Sequence, residues 1–146
     1  MPIHFYSKSP EYGWLSNFSD HAFVIDGIRW ASVEHYYQAQ KYAGTNAAER
    51  IRKAETALKA RKAGQDRSLA PRTDWDEVKE DVMRTGIRAK FEQNRRIREK
   101  LIETGDEELV HQSNSDLFWG RTPEGIGDNR LGNILMEVRK SLRGES

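Results

Sequence analysis

Apolar residues recur at helical spacing over two long stretches of the chain. Val78, Val82, Met83, Ile87 and Phe91 form one stripe, and Leu131, Ile134, Leu135, Val138 and Leu142 form another; steps of three and four keep each set on one face of a helix. Asp74 with Glu77 three residues later marks the start of the first, because this spacing lets two side chains satisfy amides that an opening helical turn leaves without partners. Ile97, Leu101 and Ile102 predict a shorter helix stopped by Gly105, and "ELVHQ" predicts a strand. Nearer the start, "HAFVIDGIRW" sets Asp26-Gly27 between two short apolar runs. That pair is the two-residue hairpin signal, since both central residues of a type I′ turn need positive φ. The reading is strands at 22–25 and 28–30, then a helix over 33–43 capped by Ser32 and ended by Gly44. Asn46 with Glu49 repeats the capping spacing and opens a helical segment over 47–63, in one or two pieces. The pattern predicts a helix-rich α+β fold with a small antiparallel sheet.

A chain of 146 residues is long enough for one core without staples. No repeat, low-complexity tract or linker interrupts it, so the expectation is a single domain over 1–146. It contains no cysteine, and "MPIHFYSKSP" lacks the basic flank and apolar core of a secretory signal. A reducing, cytoplasmic setting is expected. No apolar run approaches the ~18 residues of a membrane helix, so no membrane partner is expected. The formal net charge is +1. Within that balance "ARKAGQDRSLAPR" gathers Arg61, Lys62, Arg67 and Arg72 against Asp66. Such a run is either a solvated face or a seat for pyrophosphate or a nucleic-acid backbone.

"WASVEHYYQAQK" carries the most specific candidate chemistry. Glu34, Gln38 and Lys41 fall at i, i+4 and i+7, on one helix face. A carboxylate in the first turn is favoured by the free amides and macrodipole there, by roughly 0.3–1 kcal/mol. Glu34 therefore reads in two ways: an ordinary helix-start acid paired with a cation, or an ionised carboxylate facing a cationic carbon. "SNSDLFWGRTPEGIGDNRLG" places Asp116, Trp119, Gly120, Gly125, Gly127 and Gly132 around the start of the last helix. A glycine-bearing loop entering a helix leaves amides available to phosphate, with Asn129 or Asp128 as cap. The spacing is neither a Walker loop nor a dinucleotide fingerprint, so a plain surface loop stays open. Of the four tryptophans, Trp14 and Trp30 read as core, while Trp75 and Trp119 read as core or as a stacking face for a base. His4, His21, His35 and His111 show no metal-ligand spacing, and His35 reads as a structural hydrogen-bonder.

In order, "FYSKSPEYGWLSNF", "WASVEHYYQAQKY", "RTDWDEVKEDVMRTGIRAKFEQN", "LIETGDEELV", "SDLFWG" and "GIGDNRLGNILMEVR" resemble the NADAR family, including its YbiA-like bacterial members, from about Ile3 to Arg143. The resemblance implies a YbiA-like fold and an N-glycosidase, a hydrolase acting on ribosyl nucleotides without a metal or other cofactor. Two substrates go with the family. One is the set of early ribosylamino-pyrimidine phosphates of riboflavin biosynthesis. The other is ADP-ribose on guanine in nucleic acid, removed by antitoxin-like members. The family's essential glutamate falls on Glu34, its tryptophan before "xxVK" on Trp75, and its acid before the "WG" pair on Asp116. Asn17, Gln38, Lys41, Trp119, Gly120, Asn129 and Gly132 match positions that look like parts of the pocket. One departure is His111, where the family commonly has Glu after "LV".

Cleaving a ribose C1′–N bond develops positive charge on the sugar and requires a proton or hydrogen bond at the departing nitrogen. On that chemistry Glu34 is expected to face C1′, and Asp116 to orient a ribose hydroxyl or assist the leaving group. Trp75 or Trp119 would stack the base. Lys41, Arg67 or Arg72 and the loop from Gly125 through Gly127 to Asn129 would hold phosphate. The expected partner is a nucleotide or an ADP-ribosylated nucleic acid, including its DNA backbone, and guanine-linked ADP-ribose is favoured by the basic run. Rival classes are an ADP-ribose-binding module that does not cleave and a DNA-binding protein with strongly salt-dependent affinity.

Overall fold

The computed structural model describes residues 1–144, which cluster into two compact units, Asn17–Lys90 and Met1–Ser16 with the described residues from Phe91 onward.

The first of these begins with an antiparallel hairpin of β2 (Phe23–Ile25) and β3 (Ile28–Trp30), in register Phe23 to Trp30. Asp26 and Gly27 have φ of 52° and 79°, the left-handed pair that the Asp-Gly turn predicts. Phe23 and Trp30 are opposite one another and buried, and both meet Tyr36 edge-on, at 6.1 and 5.1 Å between ring centroids. Tyr36 belongs to α1 (Val33–Gln40), which starts where Ser32 Oγ accepts the His35 amide. The helix ends three residues before the expected position 43. Lys41, Tyr42 and Ala43 donate to carbonyls three residues back, so the last turn tightens into 3₁₀ bonding before Gly44 at φ 84°.

The segment that follows is two helices, α2 (Asn46–Arg52) and α3 (Ala57–Gly64). The cap of α2 corrects the sequence expectation. Thr45, not Asn46, supplies the oxygen, accepting the Ala48 amide, and Glu49 pairs instead with Arg52 and Lys53. Thr56 caps α3 in the same way. Next comes α3's partner in sequence, the long α4 (Trp75–Gln93). It approaches α1 at Gly86, where a Cβ would lie 3.0 Å from Tyr36 and 3.5 Å from Val33. Phe23, Val33, Tyr36, Ala39, Ile51, Ala60, Met83 and Ile87 are among the buried residues of this unit.

In the other unit, β1 (Ile3–Phe5) pairs in parallel with β4 (Leu109–His111). The expected "ELVHQ" strand is present, but its partner "IHF" carries too few residues for alternation to reveal it. The small antiparallel sheet is thus accompanied by a parallel pair. Following α5 (Arg95–Glu103) and Gly105 at φ 65°, the chain reaches α6 (Arg130–Leu142). Leu131, Ile134, Leu135 and Val138 are buried along one face of α6, as the periodicity predicts, together with Phe5, Leu15, Phe91, Leu101 and Leu109. The α6 guanidinium of Arg139 donates to Thr104 Oγ1 and the Glu107 carbonyl at 2.9 and 2.8 Å.

Candidate active site

The first turn of α1 places Glu34 at a helix start whose amides are already satisfied. The Asn17 carbonyl accepts the Glu34 amide at 3.1 Å, and Ser32 Oγ accepts that of His35. The His35 ring bridges Ser32 Oγ at 2.7 Å and the Ala54 carbonyl at 2.9 Å. A carbonyl can only accept, so Nε2 carries the proton there and Nδ1 takes the Ser32 hydroxyl. His35 is structural, as its position one residue off the Glu34 face suggests.

Glu34 is 7 % exposed. Its Oε2 accepts a hydrogen bond of 2.7 Å from Gln38 Nε2, one turn along the helix. Gln38 is itself 2 % exposed, and its Oε1 is buried without a hydrogen-bond partner among the described residues. A short bond of this kind fixes the orientation of the Glu34 side chain. Lys41 lies further along the same helix. Burial lowers its pKa from the ordinary lysine value, the Glu34 carboxylate opposes that shift, and Arg61 and Lys79 add to it. Its ammonium stands 5.6 Å from the centroid of Tyr37, and Tyr37 in turn meets Trp75 at 5.1 Å and 58°. Glu34, Gln38, Lys41, Tyr37 and Trp75 thus come together on one helix and the start of another. Asn17 joins them through its backbone, while its side-chain amide donates to Met83 Sδ at 3.3 Å.

Arg67 and Arg72 sit on the loop that follows α3, and both are exposed. The Arg72 amide donates to the Lys41 carbonyl at 2.8 Å, which ties this loop to the end of α1. Its guanidinium clasps Asp74 through two bonds, of 2.6 and 2.9 Å. Tyr37, Lys79 and Gly64 are members of this neighbourhood that the sequence reading did not single out. A tyrosine at i+3 from Glu34 was visible, but its pairing with Trp75 depends on how α1 meets α4.

The remaining candidates lie in the other unit, where the amides at the start of α6 are hydrogen-bonded within their own loop. The amides of Asp128, Asn129, Arg130 and Leu131 donate to the carbonyls of Leu117, Gly120, Phe118 and Trp119 at 2.7 to 3.1 Å. The start of α6 is therefore filled by its own loop and presents no array of open amides to an anion. Asn129, fully buried at φ 50°, makes no side-chain cap. Instead its Oδ1 accepts the His111 amide and its Nδ2 donates to the Leu109 carbonyl, holding β4. The glycines are close-packing points. A Cβ on Gly132 would lie 2.1 Å from the Leu109 oxygen, one on Gly127 2.4 Å from the Gly120 oxygen, and one on Gly120 2.8 Å from the His111 oxygen. Asp116 Oδ1 accepts the amides of Phe118 and Trp119 at 3.2 and 3.0 Å, and so shapes the turn that carries Trp119. The half-buried Trp119 ring packs edge-on to Phe118. Among the described residues no group of His, Cys, Asp or Glu converges as metal ligands, and no helix is long and apolar enough to cross a membrane.

The NADAR domain model matches residues 4–143. The chain is 44% identical over 140 residues to the N-glycosidase YbiA of Escherichia coli, covering 96% of this chain and 88% of that protein. It is 40% identical over 143 residues to a riboflavin biosynthesis protein of Vibrio vulnificus, covering 98% of this chain and 39% of that longer protein. The NMR structure of E. coli YbiA superposes with a TM-score of 0.88 at 43% identity, covering 97% of this chain and 84% of that one. A carboxylate clamped at the start of α1, set in this order of helices and matched over nearly the whole length, identifies the chain as a member of the NADAR domain family.

Proposed function

We propose that this protein is an N-glycosidase that hydrolyses the bond between ribose C1′ and a base nitrogen, with Glu34 as the carboxylate facing C1′. The observation that carries this is the buried Glu34 side chain held by the Gln38 amide at 2.7 Å. A fixed anion stabilises an oxocarbenium-like sugar without reorganising as charge develops. The relatives named N-glycosidase support the reaction class. In this reading Trp75 and Tyr37 offer the flat aromatic surface for a base, and Lys41 binds an anionic group beside the sugar. A carboxylate that anchors an amide-lined turn is a poor general acid, so we assign Asp116 to holding its loop.

The substrate we favour is ADP-ribose linked to guanine in DNA. Lys41, Arg61 and Lys79 lie near enough to one another for the last two to act on the first, which suits a pyrophosphate better than a single phosphate. A ribosylamino-pyrimidine phosphate of riboflavin biosynthesis is the second reading, supported by the naming of the Vibrio relative. Incubating the protein with an ADP-ribosylated oligonucleotide in one tube and the pyrimidine precursor in another, followed by chromatography, separates them. Release of ADP-ribose from the oligonucleotide is expected, and release of base from the precursor alone would replace the first substrate by the second. Glu34→Gln should lose at least ~10²-fold in turnover while binding ADP-ribose as before. If wild type binds and cleaves neither compound, the chain is a binding module and the enzyme reading falls.

A further inference from the structure

Gly64, in the last turn of α3, faces the Gln38 side chain. A Cβ built on it would stand 2.2 Å from Gln38 Oε1, 2.7 Å from its Cβ and 2.9 Å from its Cδ. Those are approaches that no real side-chain carbon makes to non-bonded atoms. Nothing in the backbone calls for glycine here. Gly64 is helical and is not among the glycines of positive φ, and alanine is the better helix former. The residue is therefore there for space. Nor can Gly64 back away, because its carbonyl accepts a buried 2.6 Å hydrogen bond from the Tyr42 hydroxyl. The occupant of the space is the same amide that donates to Glu34 Oε2.

We propose that Gly64 is a positioning residue for the Glu34 carboxylate, acting through Gln38: the bare Cα lets the amide lie flat on α3, and only from there does Nε2 reach Glu34. Burying Gln38 Oε1 without a hydrogen bond is consistent with an amide placed for what its nitrogen holds and not for its own satisfaction. A Cβ on residue 64 pushes the amide aside. Rotating the far end of Gln38 relieves the contacts to Oε1 and Cδ but not the one to Cβ, so the Glu34 bond lengthens or breaks. The proposal rests on Glu34 being the reacting carboxylate, although its structural half can be read without turnover.

The test compares wild type, Gly64→Ala, Gln38→Ala and the double variant. Carbon-13 titration of the Glu34 side-chain carboxyl reads the relay directly. Losing a donor to the ionised form moves the midpoint to higher pH, and the proposal expects that movement in both single variants, with no further movement in the double. In turnover, each single variant should lose roughly 10²-fold in kcat, as misplacement by about an ångström does, with KM within about threefold and the acid limb of the rate profile displaced upward. A folded Gly64→Ala whose Glu34 titrates as in wild type overturns the relay. If Gly64→Ala does not fold, its combination with Gln38→Gly removes the Cβ as well as the amide and should restore a cooperative melt; failure to restore it also overturns the proposal. An inactive wild type in which the titration still moves as expected would sink the glycosidase reading and leave the relay standing.

Discussion

Lys41 shows how one residue's chemistry is set by its neighbours. Burial disfavours its ammonium, Glu34 supports it, and Arg61 and Lys79 oppose it, with burial the largest influence. The net is a lysine that loses its proton below the ordinary value, so its charge disappears earlier than usual as pH rises. If this ammonium holds an anionic part of the substrate, KM should climb with pH in wild type, beginning below the range in which an ordinary lysine titrates. Lys41→Met should raise KM at pH 7, by roughly tenfold for a lost charge-assisted contact, and flatten the climb. A KM that is the same for both proteins at pH 7 would remove Lys41 from the binding surface. Much of this face was legible in "WASVEHYYQAQK", because helical spacing alone puts Glu34, Gln38 and Lys41 together. The contacts that give the face its chemistry were not. Gly64, Lys79 and Trp75 are brought to α1 by α3 and α4, and spacing within one helix contains nothing about its neighbours.

Where an element's bounds depend on one or two side chains, sequence reading succeeds or fails with them. Ser32 was legible as a cap, and the structure gives it a second duty in the hydrogen bond to His35 Nδ1. Ser32→Ala should therefore cost about 1–2 kcal/mol in urea unfolding, the upper part of the range for caps, because a buried ring nitrogen also loses its partner. A change within experimental error would mean that α1 is held by packing alone. Asn46 was misread because Thr45 beside it is an equally good cap, and only the helix's true start distinguishes them. The glycine loop before α6 left two readings open for a stronger reason. Its amides are taken by carbonyls of Leu117 to Gly120, which no local pattern announces. Gly132 makes the consequence measurable. Alanine there would press on the Leu109 carbonyl and the Asn129 amide, and Gly132→Ala should destabilise by roughly 2–4 kcal/mol, as overpacked sites do at their worst. Differential scanning fluorimetry should show it as a large fall in Tm. An unchanged Tm would show that α6 can shift away from β4 at little cost.

At the scale of the whole molecule, near-neutral net charge conceals a lysine placed where water does not reach. Lys90 is 1 % exposed within α4, and burial brings its pKa down from the ordinary lysine value to about 7. In the unfolded chain the same side chain keeps an ordinary lysine pKa of about 10.4. Between those limits the unfolded state binds more protons than the folded one, so folding stability rises with pH. Below about pH 7 both states are protonated and the cost of burying the charge is present in full. The slope contributed by one such group approaches about 1.4 kcal/mol per pH unit in that window. Other groups titrate in the same range, so the informative quantity is the difference between wild type and Lys90→Met. Methionine matches the stem and carries no charge. Unfolding in urea at pH 6, 7.5, 9 and 10 should show the variant gaining on wild type at the acid end and losing that advantage steadily toward pH 10. Parallel stability curves for the two proteins across this range would mean that Lys90 keeps its proton when folded, and that the charge is compensated inside the fold.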